Sequence, residues 1–190
     1  MWERRLYVGA ALAATKLDLH ASRRTLADVR KNKNKAMDIS PGTQLLRKGR
    51  VSSPGQVYLV TTIVKDRTPV FRDWGAAQIA CRVATAGMSD SRFIAWVLMP
   101  DHFHGLLLVG EEASLSDSMR LFKGRVSVEV NRLQRRGGPL WQSTFHDHAM
   151  RREEHLENMA RYIVENPVRA GLVSRIGDYP FWNVEWEWEM

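Results

Sequence analysis

The segment MPDHFHGLLLVG carries two histidines whose spacing could hold a metal ion. His102 and His104 stand on either side of Phe103. Alternate side chains of a β-strand project to the same face, so both imidazoles would lie together while Phe103 points to the opposite, buried face. Two imidazoles on a rigid strand can bind a divalent cation and leave room for a third ligand and for substrate oxygens. The alternative is two polar residues on the solvent face of an edge strand. The apolar run 106–109 indicates a central strand and favours the metal site.

A second chemical signal lies in the segment RYIVENP, where Tyr162 precedes Asn166 by four residues. Residues spaced in this way share one face of a helix. The phenol could act as a nucleophile and the amide oxygen as a third metal ligand. Because an unassisted phenol has a pKa of about 10, a nearby cation or base is needed to favour the phenolate. The alternatives are a core or capping tyrosine, and an asparagine that only ends the helix before proline. Tyr58, on a strand, and Tyr179, in a loop, share no helical spacing with a ligand and are rejected as nucleophiles.

The rest of the pattern supplies elements that would position these residues. Strands are predicted where β-branched and apolar residues cluster, at 56–64, 92–99, 102–109 and 145–150. Helices are predicted where apolar residues recur at helical spacing, at 73–88, 114–134 and 152–165. The tight break at Pro100-Asp101 makes the middle strands a hairpin. This order predicts an α+β fold, a ferredoxin-like antiparallel sheet with helices on one face.

Composition excludes several classes of protein. The chain has 190 residues and 44% hydrophobic residues, enough apolar material for a core, which argues against a wholly disordered chain. Its one cysteine, Cys81, excludes an internal disulfide framework and a cysteine-rich zinc module, and is interpreted as a packing residue. No apolar run reaches the roughly 18 to 20 residues of a membrane helix. These features fit a cytoplasmic protein.

The formal charge of +7 is concentrated in the first 50 residues, which hold 12 basic and 4 acidic residues. Residues 30–35 read RKNKNK, with nothing apolar to bury. Residues 1–45 are therefore predicted to be a basic, flexible arm. Such an arm beside a near-neutral domain often contacts nucleic acid phosphates. A solubility tail, or a true start at Met37, is an equally good interpretation.

Five motifs together resemble a known family. They are VYLVTT, AWVLMPDHFHGLLLVG, RLFKGRVSVEVN, LWQSTFHDHAMR and YIVENPVRAGLV. In this order they resemble the REP-associated tyrosine transposases, in the IS200/IS605-like Y1 transposase group of HUH endonucleases. The resemblance runs from about Leu46 to Trp182, which divides the chain into the arm, a transposase domain at 46–182 and a Trp/Glu-rich tail at 183–190.

The resemblance implies a metal-dependent endonuclease and strand transferase that cuts single-stranded DNA beside REP-like hairpins. His102 and His104 match the histidine pair that binds Mg²⁺ or Mn²⁺, and Tyr162 matches the nucleophile that forms a 5′-phosphotyrosine link. Asn166 matches the third ligand position, where insertion-sequence relatives carry glutamine. Glu165 is the fallback ligand, on a different part of the helix face.

Further residues are candidate DNA contacts, because basic side chains and the histidine of the FHDHAMR motif could meet phosphates. They are Arg47, Lys48, Arg50, Lys123, Arg125, His148, Arg151 and Arg152. His146 shares a strand face with His148 by spacing, and structural packing is the alternative for both. The expected partner is single-stranded DNA with hairpins, and no contact with a membrane is expected. The protein is expected to be a monomer rather than a dimer and to lie in the cytoplasm, near the nucleoid.

Two other functions stay open. A retired transposase would bind hairpins without any chemistry, and a metal-dependent RNA phosphodiesterase is a weaker interpretation. In the segment FWNVEWEWEM at the end of the chain, Trp182, Trp186 and Trp188 could stack on bases, but the interleaved glutamates would repel phosphate. An edge strand, or a tail that covers the DNA groove and restrains cleavage, is the preferred hypothesis.

Overall fold

Five antiparallel strands form one sheet in the computed structural model, which describes residues 53–151 and 155–185. The strands are β1 (Val57–Ile63), β2 (Arg92–Met99), β3 (His102–Leu108), β4 (His146–Ala149) and β5 (Trp182–Val184). They lie in the order β4-β1-β3-β2-β5. The predicted ferredoxin-like sheet is confirmed, and β5 extends it at the edge beside β2. The predicted arm at 1–45 and the tail beyond residue 185 lie outside the described residues.

Asn183 and Val184 belong to β5, although the sequence assigned them to the tail. They pair with Trp96 and Ala95 of β2, and Trp182 pairs with Val97. The edge-strand hypothesis therefore describes the start of the Trp/Glu-rich segment. The register of β5 against β2 places the indole of Trp182 in a buried position.

The two longest helices begin at residues whose side chains cap them. The helices are α1 (Trp74–Ala86), α2 (Leu115–Leu133), α3 (Leu156–Val164) and α4 (Asn166–Arg169). The Asp73 carboxylate accepts a hydrogen bond from the backbone of Ala76 at 2.8 Å, and Ser114 caps α2 in the same way. The last predicted helix ends close to its predicted end, because α3 ends at Val164. Pro167 lies in the first turn of the separate short helix α4, where its missing N–H costs nothing.

One face of the sheet packs against α1 and α2 around Phe103. Its ring centroid lies 4.9 Å from that of Phe93 and 4.7 Å from that of Phe122. Gly105 makes this packing possible, because a Cβ there would lie 2.7 Å from a ring carbon of Phe93. The prediction that Phe103 faces the core is confirmed. Burial of this aromatic cluster fixes the register of β3, and with it the position of the flanking histidines.

Most of the predicted apolar stripe of α2 is buried, including Met119, Phe122 and Val126. Leu133 is the exception, since it is 51% exposed. It lies at the last turn of α2, where its methyl carbon covers Gly75 of α1. Cys81 of α1 is buried, and this burial raises the pKa of its thiol to about 12, as fits a packing residue.

Helix α3 lies on the other face of the sheet. Its buried residues Ala160, Ile163 and Val164 are outside the core that α1 and α2 enclose. The helix contacts β2, β3 and β5 instead. The two helices between strands thus share one face, as predicted, while α3 brings the Tyr162 segment to the histidine face. In the described part of the chain, no helix combines the length and apolar character needed to cross a membrane.

Candidate active site

His102 and His104 lie side by side on the sheet face that α3 approaches. Their ring centroids are 4.7 Å apart and the ring planes are nearly perpendicular. In the register of the sheet, His104 is opposite Thr61 and His102 is opposite Ile63 of β1. The prediction that the two imidazoles share a face is confirmed, and both are half-buried.

Each imidazole uses its Nδ1 atom in a hydrogen bond with a neighbouring side chain. His102 Nδ1 lies 2.6 Å from Asp101 Oδ1, and His104 Nδ1 lies 2.7 Å from the Thr61 hydroxyl oxygen. When Nδ1 is held in this way, Nε2 remains for a ligand, which is the usual arrangement of metal-binding histidines.

Charge and burial keep His104 in its neutral form. Burial, and then electrostatic interactions with His102 and Arg169, lower its pKa to about 3. A neutral imidazole is the form that binds a metal ion. For Asp101, burial acts to raise the pKa, but the interactions with His102 and Arg67 outweigh it and leave the pKa below its usual value. The site thus holds an ionised carboxylate at Asp101 and an uncharged imidazole at His104.

The donors fit a two-histidine site that takes its other ligands from oxygen atoms. Within residues 53–151 and 155–185, no group of three His, Cys, Asp or Glu side chains could hold a metal ion. Asn166 opens α4, and its Nδ2 donates to the carbonyl of Ile163 at 2.8 Å, which leaves Oδ1 on the other side of the amide. Two imidazoles, an amide oxygen and phosphate oxygens are ligands that Mg²⁺ or Mn²⁺ accepts. Glu165, the fallback ligand, lies 3.6 Å from the guanidinium of Arg169.

Tyr162 is the exposed tyrosine of the described residues. Its side chain lies on α3 and the residue is 56% exposed, so it is not a core tyrosine. Tyr58 is buried in the core. The hydroxyl of Tyr179 donates to the carbonyl of Leu98 at 2.6 Å, and burial, followed by the neighbouring Cys81, raises the pKa of Tyr179. Both rejections made from the sequence are supported by these contacts.

Arg169 is a site residue that the sequence reasoning missed. Its guanidinium carbon lies 4.0 Å from the ring centroid of Tyr162, and the same group donates to the backbone carbonyl of Tyr162. Its charge also lowers the pKa of His104, so it links the phenol to the histidine pair. The available signal was the spacing: Arg169 follows Tyr162 by seven residues, which is about two helical turns.

His146 and His148 of β4 lie on the same face of the sheet as the histidine pair. His146 is opposite Thr61, and His148 is opposite Leu59. The prediction that they share a face is confirmed. The side chains of β1 on this face are half-buried, whereas those on its other face are buried. The face therefore offers a partly open strip of sheet beside His104.

Two other candidate DNA contacts do not lie at this strip. Lys123 and Arg125 belong to α2, which packs on the opposite face of the sheet. The ammonium of Lys123 contacts the carbonyls of Gln142, Ser143 and Thr144 at 2.7, 3.4 and 3.3 Å. Arg125 lies 3.4 Å from the carbonyl of Gly87. Arg151 is exposed just after β4. Arg47, Lys48, Arg50 and Arg152 are outside the described residues.

Comparison with known proteins identifies the family. The chain is 26% identical to a protein named as a REP-associated tyrosine transposase in Haemophilus influenzae, over 67% of this chain and 78% of that protein. It is 30% identical to the Escherichia coli REP-associated tyrosine transposase over 46% of this chain, which spans half of that relative. A solved structure of such a transposase bound to a REP hairpin has the same fold, with a TM-score of 0.57, 23% identity and coverage of 70% of this chain and 79% of that one. Residues 53–166 match the family described as "Transposase IS200 like". The chain therefore belongs to the IS200-like transposases, a family of enzymes that nick and rejoin DNA.

Proposed function

We propose that this chain is a metal-dependent endonuclease and strand transferase that acts on single-stranded DNA beside hairpins. Tyr162 is the nucleophile, and the reaction passes through a 5′-phosphotyrosine intermediate. Membership of the IS200-like transposases supports the class of reaction. The hairpin partner is proposed from a similar transposase that is described as bound to a REP hairpin.

One observation carries the proposal: Arg169 contacts the exposed ring of Tyr162 and acts electrostatically on His104. The nucleophile and the histidine pair thus share a charged neighbour, although they belong to different layers of the fold. A guanidinium that contacts the ring of the phenol and acts on His104 suits a phosphodiester, because Arg pairs well with phosphate oxygens.

The chemistry of the chain's own residues follows from this arrangement. The phenol oxygen of Tyr162 attacks the scissile phosphorus and forms a new P–O bond while its proton passes to water. The bond from phosphorus to the 3′ oxygen breaks, and that oxygen leaves as a 3′-hydroxyl after taking up a proton. Rejoining is the reverse attack by a 3′-hydroxyl, which restores the free phenol. The phosphotyrosine conserves the phosphodiester, so strand transfer needs no nucleoside triphosphate.

The histidines would hold the cation through the Nε2 atoms of His102 and His104, with the amide oxygen of Asn166 as the third protein ligand. A bound Mg²⁺ or Mn²⁺ supplies Lewis-acid polarisation of the scissile phosphate. Arg169 stabilises the same phosphate and orients the ring of Tyr162. The strip beside His104, with His146 and His148, is the proposed path of the single strand.

The proposal includes a monomeric enzyme in the cytoplasm, close to the nucleoid, where single-stranded hairpins form. The charged arm in residues 1–45 would add contacts to phosphate. Arg47, Lys48 and Arg50, which follow this arm and precede the first strand, are the proposed contacts to the hairpin duplex.

The direct test is to incubate the full chain with labelled single-stranded hairpin DNA and Mn²⁺. We expect a protein–DNA adduct that survives denaturing electrophoresis, together with a released strand that ends in a 3′-hydroxyl. The hairpins to use are short imperfect palindromes that flank the gene. Tight hairpin binding with no adduct under any divalent cation would instead support a retired, DNA-binding transposase. An adduct with RNA but not DNA would support the phosphodiesterase.

We expect Arg169→Gln to slow adduct formation roughly tenfold to hundredfold at saturating DNA, because a donor to the developing phosphate charge is lost. Single-turnover rates measure this effect. Arg169→Lys should recover part of the rate, since it restores the charge without the planar guanidinium.

The matched control is Arg161→Gln. Arg161 lies on the same helix as Tyr162, is exposed, and is 3.8 Å from Glu157 of its own helix. Loss of this exposed ion pair should change the rate and the stability little. Equal rates for wild type and Arg169→Gln would contradict the role of Arg169 at the phosphate.

A further inference from the structure

A carboxylate and a guanidinium from outside the sheet meet behind His102. Asp101 Oδ1 lies 2.6 Å from His102 Nδ1, and Asp101 Oδ2 lies 3.2 Å from a terminal nitrogen of Arg67. Asp101 therefore uses one oxygen for the histidine and the other for the arginine. The Asp101 and His102 side chains are 23% and 19% exposed, so water competes weakly for this contact.

The segment 64–68 is held against this carboxylate by its backbone. The N–H of Val64 donates to the carbonyl of Asp101 at 2.8 Å, and the N–H of Lys65 donates to the carbonyl of Leu140 at 2.8 Å. Asp66 and Arg67 both have positive φ angles, 56° and 50°. Two successive non-glycine residues in the left-handed region cost free energy, and such conformations persist where the surroundings enforce them. The turn that they form directs the guanidinium of Arg67 to Asp101.

We propose that Arg67 and Asp101 form a brace that fixes His102 in the tautomer with a proton on Nδ1 and Nε2 presented to a cation. The inference rests on the proposed function, because it concerns the metal site assumed there. It adds two positioning residues that contact neither substrate nor cation. Carboxylates behind metal-binding histidines raise ligand basicity and orient the ring. The affinity of the site for a divalent cation therefore depends on the turn between β1 and α1.

The first measurement is a titration of the full chain with Mn²⁺ alone. The electron paramagnetic resonance signal of the free ion is monitored to determine how much Mn²⁺ is bound. We expect Asp101→Ala to weaken Mn²⁺ binding roughly tenfold to hundredfold, the range found for lost partners of metal-binding histidines. Asp101→Asn keeps an acceptor without the charge and should fall between this variant and wild type. Arg67→Gln should weaken binding only about threefold, because its ion pair is largely exposed.

Arg72→Gln is the matched control. Arg72 is an exposed arginine of the same connection between β1 and α1, and it should leave Mn²⁺ affinity unchanged. The second measurement needs no metal: ¹⁵N spectra of the imidazoles report which nitrogen carries the proton. Wild type should show the His102 proton on Nδ1, and Asp101→Ala should show a mixture of tautomers. Circular dichroism checks the fold, and Asp101→Asn carries the test if the alanine variant is unfolded.

The outcomes separate this inference from the proposed function. If wild type binds Mn²⁺ and the folded Asp101 variants bind it equally well, the brace is wrong and the metal site stands. If wild type binds no Mn²⁺, the proposed metal site is wrong, and the proposed effect of the brace on Mn²⁺ affinity is wrong as well. An unchanged His102 tautomer in Asp101→Ala would also overturn the brace, whatever the activity of the enzyme.

Discussion

Tyr162→Phe should abolish the covalent protein–DNA adduct while hairpin binding persists. The substitution removes only the phenol oxygen, the atom that would form the bond to phosphorus. Because Tyr162 is exposed and its contact with Arg169 uses the ring face, the phenylalanine variant keeps the packing and the cation–π contact. The measurement is denaturing electrophoresis of labelled hairpin DNA with Mn²⁺, alongside a binding assay without denaturant.

Tyr179→Phe is the matched control for this prediction. It removes a hydroxyl that donates to the carbonyl of Leu98 at 2.6 Å, so it should cost about 1–3 kcal/mol of unfolding free energy. Adduct formation should remain, because this hydroxyl already has a structural partner. A persistent adduct in Tyr162→Phe, or its loss in a folded Tyr179→Phe, would overturn the assignment of the nucleophile.

Substitution of either histidine of the pair should remove most cation binding and most cleavage. We expect His102→Ala and His104→Ala each to slow adduct formation by at least about 100-fold, since metal polarisation of a phosphate is worth several kcal/mol in the transition state. Excess chelator should have the same effect on wild type, and added Mn²⁺ should reverse it. Mn²⁺ titration and single-turnover rates measure the two effects separately.

The His104 variant has a structural cost that must be separated from catalysis. Removal of this imidazole leaves the hydroxyl of Thr61 without its partner and opens space in a half-buried site, so thermal unfolding must be recorded as well. The control is His155→Gln, at the exposed N-terminus of α3, which should change neither rate nor Mn²⁺ affinity. Full activity of a folded His104→Ala in the presence of chelator would show that the reaction does not need this metal site.

Much of the histidine strand could be predicted from local sequence. β2 occupies the predicted residues, 92–99, and β3 begins at His102 after the predicted break. The alternation of His102, Phe103 and His104 determined which side chains share a face, because the period of a strand is two residues. The starts of the first two helices were equally readable, because the predicted helices begin at 73 and 114, where Asp73 and Ser114 cap them, and a cap depends on atoms within a few residues.

Residues distant in the chain were harder to assign. Lys123 and Arg125 were candidate DNA contacts by charge alone, but charge does not tell which face of the sheet a helix covers. Arg169 lies within a recognised motif, yet its role depends on how α3 and α4 turn its side chain back over Tyr162. The third-ligand role of Asn166 stays a prediction, because its Nδ2 already caps the end of α3.

By itself, the sequence determined the family, the strand of the histidine pair and the identity of the candidate nucleophile. These features reside in short motifs and in periodicities that act over a few residues. Only the tertiary structure decided that α3 crosses to the histidine face, and that Arg67 reaches an aspartate 34 positions away in the chain. The physical reason is that such contacts follow from the packing of whole layers, and the spacing of neighbouring residues carries no information about that packing.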